Sequence, residues 1–145
     1  MEVYTAGFTQ KSAAEFFGTL QRAGIRRLVD VRLNNVSQLA GFTKKDDLPF
    51  FLHEICRMDY LHLPILAPTQ QLLDGYRKKN ADWSAYERDF RALMQSRRIE
   101  TSVERDHIAD ACLLCSEETP DRCHRRLVAE YLREHWSDVE IVHLT

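Results

Sequence analysis

The chain has 145 residues and a formal net charge of −2 at pH 7, and 44% of its residues are hydrophobic. A chain of this length and composition fits one globular domain, so we expect a single domain over residues 1–145. The near-neutral charge argues against a broad basic surface for duplex nucleic acid or an anionic membrane, although it leaves a local basic site open.

The sequence shows no signal peptide and no membrane span, which indicates the cytoplasm. No apolar run approaches the roughly 20 residues that span a bilayer, and the first five residues lack the basic and apolar regions of a signal peptide. We therefore expect a cytoplasmic protein with no membrane partner. In that reducing compartment, cysteines are thiols, metal ligands or catalytic groups rather than stable disulfides. The chain has four of them: Cys56, Cys112, Cys115 and Cys123.

The first predicted elements are a strand and a helix. An apolar run over residues 3–6 predicts a strand that ends at Gly7. Ser12 and Glu15 form an S-x-x-E capping box, which is typical of a helix start. Gly24 is placed to end that helix.

A second strand is predicted over residues 27–31, with Asp30 and Arg32 at its exit. The following residues 33–43 are polar and irregular, which predicts a loop. A helix is predicted from about Asp46, because an acidic first turn suits the positive end of a helix dipole. Its expected apolar face consists of Leu48, Phe51, Leu52 and Ile55.

The middle of the chain predicts a third strand over residues 60–63 and then two helices. Thr69 can cap the first helix, which runs through Tyr76, and Asp82 can cap the second. An apolar stripe at helical spacing in the second helix is typical of core packing. The stripe comprises Trp83, Tyr86, Phe90, Leu93 and Met94. Residues 98–107 fit either a frayed helix or a loop.

The last third of the chain completes an alternating pattern. Residues 110–115 predict a fourth strand, residues 122–136 a helix, and residues 139–144 a fifth strand. Strands that alternate with helices predict an α/β fold: a three-layer, Rossmann-like domain with a mostly parallel sheet of about five strands and helices on both faces. In such sheets, ligands bind beyond the carboxyl ends of the strands.

Chemically versatile residue types collect at these predicted strand ends. Gly7 ends the first strand, and Asp30 and Arg32 stand at the exit of the second. Cys115 and Glu117 stand at the exit of the fourth. Because parallel strands share one carboxyl edge, we expect these residues to surround a ligand site.

The segment from Cys115 to Arg125 is the most concentrated candidate for chemistry. Cys123, His124 and Arg125 occupy the first turn of the predicted helix, where free backbone amides attract anions and stabilise a thiolate. Because His124 lies four residues before the apolar Val128, His124 and Cys123 should point toward the sheet, and the flexible Arg125 should reach the same cleft. A thiol, an imidazole and a guanidinium could there support nucleophilic or acid–base chemistry, or clamp an anionic ligand.

Structural roles compete with these functional ones. Cys112 lies within an apolar run and is expected to be inert core. Glu117 and Arg125 could instead form an ion pair that braces the loop. His124 could simply cap the helix or bond to neighbouring backbone.

A zinc site is the natural rival, because C-x2-C followed by Cys-His resembles a zinc ligand set in composition. Cys112 and Cys115 are three residues apart in a predicted strand, so their side chains face opposite sides of the sheet. We therefore expect no metal site and no cofactor. A C-x5-R loop starting at Cys115 would need arginine where Asp121 stands, and Arg122 comes one residue later. Gly7 stands alone, so the chain has no Gly-rich phosphate loop.

Five short segments together are similar to those of a known family. The segments are Tyr4-Thr5-Ala6-Gly7-Phe8, Leu28-Val29-Asp30-Val31-Arg32, Gly41-Phe42-Thr43-Lys44, Tyr60-Leu61-His62-Leu63-Pro64, and Leu114-Cys115-Ser116-Glu117 with Cys123-His124-Arg125. In this order they resemble the family called domain of unknown function 488, over essentially the whole chain. The resemblance implies a compact α/β domain and no settled activity. Many relatives carry Pro and Arg in the loop after the second strand, where this chain has Asn35 and Gln38, so an anion would bind here differently or through Arg32 alone.

Two classes of function stay open, and the sequence does not decide whether the chain is an enzyme. The leading hypothesis is an enzyme, or a degenerate enzyme, that acts on a small anionic or nucleotide-like ligand held above the sheet. The catalytic candidates are Cys115, Glu117, Cys123 and His124. The ligand-binding candidates are Gly7, Asp30, Arg32 and Arg125.

In this hypothesis Arg32 and Arg125 hold the anion, His124 moves protons, and Cys115 or Cys123 is the nucleophile. The alternative is a non-catalytic module that binds nucleic acid through basic side chains, or a protein-interaction domain that uses the aromatic residues near position 83. The enzyme hypothesis requires the exit of the second strand to lie beside the start of the helix that contains His124.

Overall fold

A computed structural model describes residues 1–35, 41–78, 82–117 and 120–145 of the chain. Its centre is one sheet of five parallel strands in the order β3-β2-β4-β1-β5. The strands are β1 (Glu2–Gly7), β2 (Arg27–Asp30), β3 (Asp59–His62), β4 (Ala111–Cys115) and β5 (Glu140–His143). Every residue of β4 is buried, because this central strand is covered on both faces. The predicted α/β fold with a parallel sheet is confirmed.

Seven α-helical segments lie among the described residues and join these strands. They are α1 (Ala13–Ala23), α2 (Leu48–Phe51), α3 (Gln70–Lys78), α4 (Trp83–Arg97), α5 (Ile99–Ser102), α6 (Arg105–Ile108) and α7 (His124–His135). A π-helical turn over Leu52–Cys56 continues α2, and 3₁₀ turns span Gly41–Thr43 and Pro64–Leu66. No helix among the described residues is both long enough and apolar enough to cross a lipid bilayer.

The helices cover the two faces of the sheet with separate apolar clusters, as the three-layer prediction requires. On one face, Phe16, Phe17 and Leu20 of α1 pack with Leu48 of α2. The other face is covered mainly by α4 and α7, together with the short helices α5 and α6. Cys112 belongs to the first cluster and is fully buried, so the prediction that it is core is confirmed.

Local sequence signals account for several helix ends. The Ser12 side chain accepts a hydrogen bond from the backbone amide of Glu15, and the Glu15 carboxylate accepts one from the backbone amide of Ser12. Gly24 ends α1 with a left-handed φ of 69°, which favours glycine. Thr69 and Asp82 accept hydrogen bonds from the first turns of α3 and α4. These four caps confirm the sequence predictions.

Two predictions in the helical regions need correction. The helix expected from Asp46 begins at Leu48, and Ile55 on its expected apolar face is 43% exposed, because the chain widens there into the π-helical turn. Residues 98–107 contain the short helices α5 and α6, since Arg98 takes a left-handed φ of 52° that ends α4. The loop predicted over residues 33–43 includes Gln38, which lies outside the described residues.

Candidate functional site

The sheet order brings the exits of three strands together. β4 lies between β1 and β2, and Cys115 at its end is the register partner of Gly7. The pairing of β2 with β4 extends one residue beyond β2, since the backbone amide of Val31 donates to the carbonyl of Leu114 over 3.1 Å. Residues that are far apart in the sequence therefore meet at one carboxyl edge, where open α/β sheets bind ligands.

A cavity of about 290 Å³ opens at this edge. Four predicted catalytic residues line it, namely Cys115, Glu117, Cys123 and His124, and so does the predicted anion ligand Arg32. The remaining lining residues are Phe8, Leu33, Asn34, Pro68, Leu73, Tyr76, Trp83, Tyr86, Ser116 and Arg122. The other three predicted ligand-binding residues, Gly7, Asp30 and Arg125, are not among the residues that line the cavity.

Cys115 and His124 form a close thiol–imidazole pair at the cavity. Cys115 is the last residue of β4 and His124 the first residue of α7, and they are 5% and 7% exposed. The Cys115 Sγ lies 3.4 Å from His124 Nδ1, and the other ring nitrogen, Nε2, lies 2.7 Å from the carbonyl oxygen of Val31. Because a carbonyl only accepts hydrogen bonds, Nε2 carries a proton and Nδ1 faces the sulfur.

The surroundings favour a Cys115 thiolate paired with a His124 imidazolium. A hydrogen bond from the Cys123 thiol holds the pKa of Cys115 well below that of an ordinary thiol; burial opposes this shift, and the charges of His124 and Arg125 strengthen it. Burial acts to lower the pKa of His124, but the charge of Cys115 and the hydrogen bond to it raise this pKa on balance. A thiolate stabilised in this way is a strong nucleophile near neutral pH.

Cys123 is a second thiol beside the first and has the opposite acidity. It is the N-cap residue of α7, and its sulfur lies within 4.8 Å of the Cys115 sulfur. Burial, followed by the hydrogen bond to Cys115 and the charge of Cys115, raises the pKa of Cys123 well above its ordinary value. The surroundings therefore favour ionisation of the Cys115 thiol over that of the Cys123 thiol.

Arg125 is fully buried and supports the site from behind. Its Nη1 donates to the backbone carbonyl of Glu117 and lies 3.7 Å from the Cys123 sulfur. The expected contact between Glu117 and Arg125 therefore exists, but it runs through the Glu117 backbone. Gly7 makes room for it, since a Cβ at this position would lie 1.5 Å from the Glu117 carbonyl oxygen and 2.7 Å from Arg125 Nη1. Gly7 is thus required for close approach of the loop after β4.

A buried ion pair holds Arg32 in the wall of the cavity. Its Nε and Nη2 donate to the two carboxylate oxygens of Asp30 over 2.9 and 2.8 Å, and Nη2 also donates to the carbonyl of Thr43 over 2.7 Å. The Tyr60 hydroxyl donates to the same carboxylate over 2.6 Å. Asp30 therefore orients the guanidinium in one plane.

One nitrogen of this guanidinium is left over for a ligand. Arg32 is 4% exposed, and its Nη1 is buried with no hydrogen-bond partner among the described residues. Asp30 offsets the effect of burial and keeps the pKa of Arg32 raised, and the charge of Cys115 adds to that rise. An unsatisfied buried donor is unfavourable, so Arg32 is a natural partner for a bound anion.

An aromatic wall of the cavity, which the sequence did not predict, is formed by three side chains. Tyr76, Trp83 and Tyr86 contact one another with ring centroids 4.9–5.6 Å apart. Tyr86 also belongs to the core, as the helical stripe predicted, but its helix begins beside the cavity, so Trp83 and Tyr86 present surface there. Arg122 was noted only as an arginine one residue out of register, yet it is exposed at the cavity rim.

Three of these side chains could also hold a metal ion. The three candidate ligand atoms lie within 4.8 Å of one another: the sulfurs of Cys115 and Cys123 and one ring nitrogen of His124. The zinc set considered from the sequence relied on Cys112, which does face the opposite side of the sheet. The set without Cys112 became visible only once the helix start was placed against the strand end.

Comparison with known proteins identifies one family. The family model described as Domain of unknown function DUF488 matches residues 12–132, which is most of the chain. No curated protein and no solved structure matches this chain.

Proposed function

This chain belongs to the DUF488 family, whose description assigns no function, and we propose from its site that it is an enzyme in which Cys115 attacks a small anionic substrate. The observation that carries the proposal is that the Cys115–His124 pair and Arg32 line the same cavity, and that the buried Nη1 of Arg32 has no hydrogen-bond partner among the residues that the structure describes. A nucleophile and an anion-binding donor within one cavity of about 290 Å³ are what such a reaction needs.

The nucleophile is Cys115 rather than Cys123. Cys115 has the lowered pKa and the imidazole partner, whereas the pKa of Cys123 is raised. His124 stabilises the thiolate in the resting state and carries a proton on Nδ1 that it can give to a leaving group. Its bond to the Val31 carbonyl fixes the ring in the orientation that both tasks require.

The substrate is proposed to be an organic anion with a planar or apolar part, a description that includes nucleotide-like compounds. Arg32 lines the cavity and keeps one buried donor, Nη1, without a partner among the described residues. Arg122 adds positive charge at the rim, and the start of α7 contributes the positive end of a 12-residue helix. The stacked side chains of Trp83 and Tyr86 provide a flat apolar wall for the rest of the molecule. We place the reaction in the cytoplasm, where all four free cysteines stay reduced.

Alkylation with iodoacetate and iodoacetamide tests the proposal, because the first reagent is an anion and the second is neutral. In both reactions the thiolate displaces iodide and forms a bond to the methylene carbon of the reagent. Cys56 is an internal reference, since burial raises its pKa. We expect Cys115 to be alkylated at pH 7 about tenfold faster than Cys56. We also expect the ratio of the iodoacetate rate to the iodoacetamide rate to be higher at Cys115 than at Cys56. Mass spectrometry of the digested protein measures both rates.

A pair of charge-matched variants separates local from general electrostatics. Arg122→Gln removes a cation at the cavity rim, whereas Arg22→Gln removes an exposed cation on α1. We expect only the first variant to reduce the preference of Cys115 for iodoacetate. A Cys115 that reacts no faster than Cys56 in the folded protein would show that the proposed nucleophile is wrong.

A further inference from the structure

Cys123 has a position that helix capping does not explain. It is the N-cap residue of α7, yet its side chain makes no capping hydrogen bond among the described residues. Serine, threonine, aspartate or asparagine would stabilise this helix end better. The Cys123 sulfur instead lies within 4.8 Å of the Cys115 sulfur and 3.7 Å from the Nη1 of Arg125, which donates to it.

The two sulfurs at the cavity form an isolated and asymmetric pair. Cys115 and Cys123 have their sulfurs within 4.8 Å of each other, while Cys112 lies on the other face of the sheet and Cys56 in the turn after α2. Closing a disulfide would need the sulfurs to approach to about 2.05 Å. Both residues lie at element ends, Cys115 at the end of β4 and Cys123 just before α7. Cys123 is thus placed to attack whatever Cys115 has taken up.

We propose that Cys115 and Cys123 form a dithiol–disulfide couple that reduces small anionic disulfides, with Cys123 as the resolving thiol. This inference rests on the proposed function, because it names the substrate class of the same site. The cavity volume, the aromatic wall and the two arginines fit a carboxylated organic disulfide.

The reaction balances in two steps. In the first, the Cys115 thiolate attacks one sulfur of R–S–S–R, the S–S bond breaks, and the departing RS⁻ takes the Nδ1 proton of His124 to leave as RSH. In the second, His124 is neutral and accepts the Cys123 proton, and the Cys123 sulfur attacks the Cys115 sulfur. The second RS⁻ then takes that proton from His124, so two electrons from the dithiol reduce one disulfide to two thiols.

An aromatic dicarboxylate disulfide, 5,5′-dithiobis(2-nitrobenzoate), is the probe of choice because each released half absorbs visible light. The protein carries Cys56→Ser, so that the half-buried thiol outside the site does not contribute. We expect two coloured thiolates per protein molecule, no retained adduct, and a mass lower by two hydrogen atoms. In the added Cys123→Ser variant we expect one coloured thiolate and a stable mixed disulfide on Cys115.

The outcomes separate this inference from the proposed function. A retained adduct on Cys115 in the protein that still has Cys123 would overturn the resolving role while leaving the nucleophile intact. An unreactive Cys115 would overturn both. Tight binding of one zinc ion that blocks Cys115 and requires Cys123 and His124 would assign these side chains to a metal site and also overturn the inference.

The charge of the substrate is tested with the neutral probe 4,4′-dithiodipyridine. We expect Arg122→Gln to slow the reaction of the dicarboxylate probe several-fold more than that of the neutral probe, while Arg22→Gln, on an exposed face of α1, changes neither rate. If Arg122→Gln slowed the reactions of the two probes equally, the proposed anionic substrate class would be wrong.

Discussion

His124 donates its Nε2 proton to the carbonyl oxygen of Val31 over 2.7 Å, and this bond ties the start of α7 to the exit of β2. The two residues are 93 positions apart in the sequence. Their contact turns the other ring nitrogen toward Cys115 and so sets the geometry of the whole site. It also satisfies the condition on which the enzyme hypothesis depended.

We predict that His124→Gln shifts the pH dependence of Cys115 alkylation upward. Glutamine can still donate to the Val31 carbonyl, but it cannot carry the positive charge that helps to hold the pKa of Cys115 low. In the unaltered protein, reactivity falls only when the pH drops through this lowered pKa. In the variant the loss begins at higher pH, closer to the ordinary thiol value of about 8.5.

The rate of alkylation by iodoacetamide, measured from pH 5 to pH 10, checks this prediction. This reagent is neutral, so the arginine side chains do not attract it electrostatically. The profile of Cys56 in the same samples is the control and should not move. An unchanged midpoint for Cys115 would show that His124 has no electrostatic effect on the thiol.

We predict that Gly7→Ala destabilises the protein by about 3 kcal/mol, the upper part of the range for overpacked positions. The new Cβ would lie 1.5 Å from the Glu117 carbonyl oxygen, so the loop after β4 must move and the bond from Arg125 is lost. Gly18→Ala is the matched control. Its Cβ would meet only the flexible end of Arg22 at 3.2 Å, and alanine favours a helix interior by roughly 0.5–1 kcal/mol.

Urea denaturation of the two glycine variants measures these free energies of unfolding. We expect opposite signs, with Gly18→Ala slightly more stable than the unaltered protein. A Gly7→Ala variant as stable as the Gly18→Ala variant would contradict the close approach of Glu117 to β1.

The fold and part of the site follow from local sequence signals, but other site residues depend on sheet order. The capping box of Ser12 and Glu15 and the left-handed Gly24 predict their helix ends because the interactions span only a few residues. Cys115 and His124 line the cavity, and their sequence positions point to this edge of the sheet because Cys115 ends β4 and His124 begins α7.

The positions of the Arg125 and Trp83 side chains could not be predicted from local sequence signals. Arg125 was expected to reach the cleft because arginine is long, but its actual place depends on the space that Gly7 leaves on a distant strand. The apolar spacing around Trp83 indicated core, and spacing alone cannot tell a core contact from a cavity wall when both lie on one helix face. Tertiary placement decided both residues.

We predict that Arg32→Met lowers the free energy of unfolding by about 3–5 kcal/mol. The substitution leaves the Asp30 carboxylate fully buried without its bidentate partner, and an uncompensated buried charge is strongly destabilising. The double variant Asp30→Asn with Arg32→Met should recover much of this loss, because it removes the charge while keeping a group that can accept from Tyr60. Urea denaturation compares the three proteins.

The same double variant tests binding apart from folding. In the folded double variant, the preference of Cys115 for iodoacetate over iodoacetamide should fall toward that of free cysteine. Only the part of the preference that Arg122 supplies should remain. A double variant no more stable than Arg32→Met would contradict the buried-charge argument. A double variant with the full iodoacetate preference would contradict the role of Arg32 in anion binding.

We predict that an aromatic anion in the cavity quenches the fluorescence of Trp83 and leaves that of Trp136 unchanged. The chain has two tryptophans; Trp83 lines the cavity, whereas Trp136 is buried in the core, with the Arg105 guanidinium 4.9 Å from its ring centroid. Titration with 4-nitrobenzoate, a quencher that carries the charge and ring of the proposed substrates, should therefore saturate in Trp136→Phe. In Trp83→Phe only weak, linear collisional quenching should remain. Neutral nitrobenzene at the same concentrations controls for charge, and equal saturation in both variants would place the aromatic anion away from Trp83.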